Sequence, residues 1–200
     1  MDRLQALIAL TVWIACSGAS DGPPVPPPSR FDAVMADPTP KQADPAEFCE
    51  GDPAAQGTQT FAWPALDGTA PPAGAGWTWI NVWATWCAPC VEEMPRLQAW
   101  ESELQAQAGP GQLRFLSVDA TAAAVTRFQE HHPGQRTGVR IREFDQLAGW
   151  LPTVGLDAGA VLPIHLFLDA SQQIRCVREG AVNKGDYDVV AQVLSGLKAL

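Results

Sequence analysis

Trp79-Ile80-Asn81-Val82-Trp83-Ala84-Thr85-Trp86-Cys87-Ala88-Pro89-Cys90 is the stretch on which the reading of this chain turns. Its first six residues read as a buried strand, and the residues after the cysteines read as a helix. Two cysteines separated by two residues can close a small disulfide and open it again. The thiolate is the nucleophilic form of cysteine, and the unpaired N–H groups of a helix N-terminus stabilise negative charge. Cys87 is therefore placed to react and Cys90, one turn further on, to resolve. A zinc site would need two more ligands at similar spacing, and no second C-x-x-C or H-x(3-5)-H follows. A purely structural disulfide across two residues would gain little from loop closure.

The 200 residues imply one domain with appendages. A formal net charge of −9 argues against nucleic acid and against a polybasic membrane contact. Arg3 followed by an apolar run from Leu4 to Ala15 is too short to span a bilayer and reads as a signal peptide over residues 1–15. The run ends at Cys16, in a setting that resembles the lipobox of bacterial lipoproteins, with Trp13 where that box usually has Leu; an ordinary signal peptide cut nearby is the alternative. Acylation of Cys16 would give a lipid anchor, and export would place the chain where disulfides persist. Residues 16–46, including Pro23-Pro24-Val25-Pro26-Pro27-Pro28, read as a proline-rich tether without a core of its own. At about 3.1 Å per residue it could hold residues 47–200, the folded domain, some 50 to 90 Å from the anchor.

Within that domain, Phe61–Gly68 reads as a small hairpin or an edge strand, because Pro64 is compatible only with an edge. Gly74-Ala75-Gly76 leads into a central strand over residues 77–84. The helix that follows carries Glu92 and Glu93 early, is expected to kink at Pro95, and stops at Gly109-Pro110-Gly111. A strand over Leu113–Asp119 ends in an aspartate suited to cap a helix from about Ala122 to His131. Residues 134–138 read as a loop and residues 143–151 as a helix. Ile164–Leu168 and Ile174–Arg178 form a hairpin, and a C-terminal helix presents Tyr187, Val190, Val193, Leu194 and Leu197 on its apolar face. The order implies an α/β protein: a mixed sheet covered by helices on both faces, with an added N-terminal strand or hairpin.

Asn81 through Cys90, then Glu92-Glu93-Met94-Pro95, then Leu162-Pro163 before a strand ending in Asp169, resemble the thioredoxin fold and, within it, the TlpA/ResA-like branch of membrane-anchored extracytoplasmic thioredoxins. The resemblance covers about residues 58–200. It implies that Cys87 attacks, that Cys90 is buried, and that Trp86 packs beside them as a lid. It implies a cis proline at Pro163, with the backbone of Leu162 offered to a substrate chain. It further makes Glu93 the counterpart of a glutamate used in proton handling, while Asn81 stands where thioredoxin itself has a buried aspartate. Glu93 as a solvated first-turn residue is the competing reading. His131 and His132 read as an exposed helix end, and His165 as a structural histidine or one near the active site.

With Cys16 acylated and Cys87 paired with Cys90, Cys49 and Cys176 remain; a structural disulfide between them is one expectation and two buried free thiols the other. The function implied is a monomeric, lipid-anchored thiol-disulfide oxidoreductase on the periplasm-facing side of the bacterial cell envelope, acting as a reductase of protein disulfides. It would need a membrane electron donor and no organic cofactor or metal. An oxidase or isomerase is the alternative direction, and a copper-handling or apocytochrome-binding module the alternative class. Apocytochrome c, a copper-site assembly protein and a general disulfide pool all fit as substrates.

Overall fold

The computed structural model describes residues 44–50 and 59–197. The signal segment, Cys16 and residues 16–43 of the expected tether lie outside the described residues. Asp44 caps a short helix, α1 (Pro45–Phe48), by accepting a hydrogen bond from Ala46 N at 2.9 Å. The described part thus opens three residues before the domain start read from composition. A two-residue strand β1 (Leu66–Asp67) follows, then β2 (Trp77–Trp83), helix α2 (Ala88–Ala108), β3 (Gly111–Ser117), α3 (Ala122–His131) and β4 (Val139–Ile141). A 3-10 turn (Phe144–Gln146), α4 (Leu147–Trp150) and a second 3-10 turn (Leu151–Val154) lead to β5 (Ile164–Leu168) and β6 (Ile174–Glu179). The 3-10 turn Lys184–Asp186 and helix α5 (Tyr187–Leu197) close the described chain.

The six strands form one sheet in the order β1-β4-β3-β2-β5-β6. β2, β3 and β4 are parallel, whereas β1 runs against β4, β5 against β2 and β6 against β5. Two successive parallel crossovers step the same way, β2-α2-β3 and β3-α3-β4. Right-handed connections therefore bring α2 and α3 to one face. There α5 packs against α2, and Phe128 of α3 lies against Trp83 with ring centroids 5.0 Å apart. Every residue of β2 and of β5 is buried, so both faces of the sheet centre are covered. That is the expected mixed α/β sheet flanked by helices.

Several local expectations are corrected. Of the two readings of the N-terminal element the edge strand is the one formed, and Pro64 lies outside it. β3 starts at Gly111 because the chain leaves α2 close to β2: Trp77 N donates to Pro110 O at 3.2 Å, and a side chain at Gly111 would meet the Trp77 ring. The loop read at residues 134–138 feeds a strand that the pattern did not announce, β4. Gly138 admits it, since its φ is +70° and a Cβ there would lie 1.9 Å from Phe115 O. Helix α2 continues through Pro95 as one helical element. The helix read over residues 143–151 is instead three short turns ending at Val154, with Gly155 in the left-handed region at φ +86°. In the late hairpin, Asp169 Oδ1 accepts from Ser171 N at 2.8 Å and Gln173 N at 3.0 Å, which shapes the turn.

Candidate active site

β2, at the centre of the sheet, ends at Trp83, and four residues later Cys87 stands as the N-cap of α2. Cys87 and Cys90 are joined, with Cα atoms 5.3 Å apart. Cys90 is fully buried and Cys87 nearly so. An N-cap side chain ordinarily accepts from the N–H of the second or third helical residue. The second here is Pro89, which has no N–H, so the donor within reach of an N-cap sulfur is that of Cys90. The first helix N–H with an intrahelical partner is that of Val91, which donates to Cys87 O at 3.1 Å.

The turn that carries the cysteines is held from the neighbouring strand. Asp119, expected as a helix cap, does something else: Thr121 caps α3, while the Asp119 carboxylate accepts from Thr85 N at 3.0 Å, Thr85 Oγ1 at 2.6 Å and Ser117 Oγ at 2.8 Å. The signal for this clamp lay in the register. Trp83 pairs with Ser117 in parallel, so Thr85 and Asp119, each two residues on, leave the sheet side by side.

Beneath the helix lies a fully buried polar cluster. Glu93 is not a solvated first-turn residue: it is completely buried, its Oε1 accepting from Asn81 Nδ2 at 2.7 Å and its Oε2 from Val182 N at 2.7 Å. His165 pairs directly with Asn81 across β2 and β5. Its Nδ1 accepts from Trp79 Nε1 at 3.2 Å. An indole N–H only donates, so the neutral ring carries its proton on Nε2. That Nε2 is 3.4 Å from Glu93 Oε1 without making a hydrogen bond to it, and both it and Asn81 Oδ1 are without a hydrogen-bond partner. Glu93 thus ties α2 to β2 and to the loop after β6. Glu92, its neighbour, is exposed. His131 and His132 are both exposed at the end of α3, as read, and His132 stacks on Phe128 at 4.1 Å.

The outer side of Cys87 opens on a groove of about 580 Å³. Trp86 lines it, 64% exposed, so it is a groove wall rather than the packed lid expected. Leu162 lines it as well, and the Leu162–Pro163 peptide bond is cis. Phe144, Leu147, Leu151 and Val161 complete the apolar wall. The sequence placed Phe144, Leu147 and Leu151 on one face of a helix but none of the four beside Cys87, because that proximity depends on how the segment between β4 and β5 folds back. Cys49 and Cys176, the latter in β6, are joined, their Cα atoms 5.2 Å apart, within the roughly 7 Å that a bridge tolerates. Among the described residues no three His, Cys, Asp or Glu side chains gather to hold a metal ion, and no helix is long and apolar enough to cross a membrane.

No family model matches the chain, and no curated protein matches it in sequence. Solved structures do. A structure described as thiol:disulfide interchange protein DsbE from Chlorobium tepidum is 19% identical, with 72% of this chain and 97% of that one covered and a TM-score of 0.53. A thioredoxin-related protein from Neisseria meningitidis serogroup B is 22% identical, with 68% and 98% covered and a TM-score of 0.54. The likeness shows a thioredoxin-like fold.

Proposed function

We propose that the chain is a thiol-disulfide oxidoreductase of the cell envelope that reduces disulfides in partner proteins. The observation that carries the reading is a C-x-x-C pair on a thioredoxin-like fold, with Cys87 at the N-cap of a 21-residue helix and Cys90 fully buried one turn later. In the reduced protein the Cys87 thiolate attacks a partner disulfide. A Cys87–partner S–S bond forms, the partner's own S–S bond breaks, and the released thiolate takes a proton. Cys90, as thiolate, then attacks Cys87 Sγ, freeing the second partner thiol and closing Cys87–Cys90. Two electrons and two protons pass to the partner. The protein contributes a stabilised thiolate and a fixed geometry, and the exchange itself calls for no metal or organic cofactor.

The residues close to the thiols along the chain support the reducing direction. The residues between the cysteines, Ala88 and Pro89, bring no charge, and Pro89 removes one helix N-terminal donor. Buried Glu93, three residues beyond Cys90 on the same helix, brings a carboxylate to that side. Both leave the thiolate, and hence the dithiol, less stabilised, which favours a reducing potential. Outside the cytoplasm such a reductant requires a membrane-borne dithiol donor, consistent with anchoring through acylated Cys16. Trp86, Leu162 and Pro163 serve substrate binding beside the pair. Cys90→Ser tests the mechanism: offered an oxidised protein disulfide, it should accumulate a mixed disulfide through Cys87, while Cys87→Ser should form none. Equal trapping by both variants would remove the assignment of Cys87 as attacker.

A further inference from the structure

His165 is fully buried, and the exchange chemistry above gives it no task. Its place comes from the sheet. β5 runs against β2 with His165 opposite Asn81 and Phe167 opposite Trp79, so these four side chains share one face. Trp79 stacks on Phe167 with ring centroids 5.2 Å apart, which fixes the indole. Its Nε1–H meets His165 Nδ1 at 3.2 Å, and Asn81 Nδ2 stands 3.4 Å from the same nitrogen. Two donors therefore face Nδ1, and a proton placed there would have to displace both. The proton of the ring is confined to Nε2, which lies 3.4 Å from Glu93 Oε1 and has no hydrogen-bond partner. A buried N–H left in this way is costly to keep, and its presence calls for a reason.

We propose that His165 is a positioning residue for the thiol chemistry: locked by Trp79 in the neutral Nε2–H form, it holds a fixed N–H dipole toward the Glu93 carboxylate and so sets how strongly Glu93 opposes the Cys90 thiolate. The inference rests on the disulfide-exchange reading and adds a residue to it. Glu93 already accepts from Asn81 Nδ2 and from Val182 N, each at 2.7 Å. His165 brings a third N–H from the side of β5. A dipole whose positive end points at a carboxylate stabilises the charged form without itself taking a charge. The neighbouring charges are consistent with a neutral ring. Arg178, opposite His165 on β6, turns its guanidinium to Phe48, Nη1 donating to Phe48 O at 3.2 Å. Arg96 on α2 donates from Nη2 to Val182 O at 2.6 Å, on the same loop that Glu93 holds. The buried residues of α5 are all apolar, β2 contributes the uncharged Asn81 and Trp79, and Glu47 of α1 and Glu92 of α2 are exposed. Two arginines thus stand near the ring, and a second positive charge on it gains nothing from them.

Nuclear magnetic resonance of the imidazole nitrogens in the isotope-labelled full-length chain reads the tautomer directly, with His165→Gln identifying the His165 signals among the 3 histidines. From about pH 5 to 8, oxidised and reduced alike, His165 should stay neutral with its proton on Nε2. An imidazolium in that range, or a proton on Nδ1, overturns the proposal. The consequence is read in the pH profile of cysteine alkylation in the reduced chain. His165→Leu removes the dipole and should move the profile to lower pH, in the direction of Glu93→Gln, raising the rate near neutral pH at least about threefold. His165→Gln keeps an acceptor for Trp79 and a donor toward Glu93 on one planar amide, and should follow the parent. In a chain that already carries Glu93→Gln, adding His165→Leu should move nothing, because the charge it acts through is gone. A His165→Leu profile superimposable on the parent overturns the proposal, and so does an equal shift with and without Glu93, which would assign the effect to packing. Should His165→Leu not fold, the tautomer and the His165→Gln profile still decide. None of these readouts needs a partner protein: a chain that shows them all yet reduces no protein disulfide keeps His165 in its place and loses only the oxidoreductase reading.

Discussion

Glu93 accepts from Asn81 and from Val182 N in a site closed to water, so what replaces it decides whether those donors keep partners. In Glu93→Gln the amide oxygen can still accept from Val182 N, and the amide nitrogen can donate to Asn81 once that side chain turns its unpartnered Oδ1 inward. The fold should therefore hold. Removing a carboxylate three residues from Cys90 removes a like charge that opposes the thiolate. Cysteine alkylation in the variant should shift to lower pH and the redox potential become less negative; superimposable alkylation profiles would make Glu93 a purely structural tie. Glu93→Ala, by contrast, strands two buried donors and should cost at least about 1–3 kcal/mol in denaturant unfolding. Asp119→Ala is expected to cost a similar amount, about 1–3 kcal/mol, because Thr85 N and Oγ1 lose their acceptor. It should also slow exchange at Cys87 by loosening the turn, which single-turnover kinetics against the parent would show.

At the scale of elements, the bridge between Cys49 and Cys176 joins the segment just after α1 to β6, across 127 residues of sequence. Opening so long a loop restores much chain entropy to the unfolded state. The double variant Cys49→Ser/Cys176→Ser should lose roughly 2–5 kcal/mol of stability while Cys87 and Cys90 still exchange; thermal unfolding of the oxidised proteins measures the difference. The central strands, α2 and the late hairpin were legible in the sequence because each carries a sustained apolar pattern with Gly, Pro or Asp at its ends. β1 was legible only as a hairpin or edge strand somewhere in Phe61–Gly68, and β4 not at all, since two and three residues are too short to show alternation and their pairing comes from a register set elsewhere in the sheet. The segment from Phe144 to Val154 repeats at helical spacing, yet it breaks into turns where Pro152 and Gly155 end the regular hydrogen bonding. In the site, spacing alone gave Cys87 and Cys90. The depth of Glu93 was ambiguous, because a glutamate in the second turn of a helix is solvated or buried according to what the sheet presents beneath it. Here that is Asn81 and His165, brought together only by the pairing of β2 with β5.

For the molecule as a whole, the formal charge of −9 disfavours acidic partners. Two disulfides with different tasks are expected in one protein: Cys49–Cys176 to hold the sheet to its N-terminal segment, and Cys87–Cys90 to cycle. These should separate in a redox titration. The chain is equilibrated with graded ratios of oxidised and reduced dithiothreitol, quenched by an alkylating reagent and read by mass spectrometry at each cysteine. The account predicts that Cys87 and Cys90 open together in one two-electron step with a potential near the thioredoxin value of about −270 mV, while Cys49 and Cys176 stay closed at that poise. A Cys87–Cys90 pair that does not open reversibly, or one with a potential above roughly −180 mV, would contradict it.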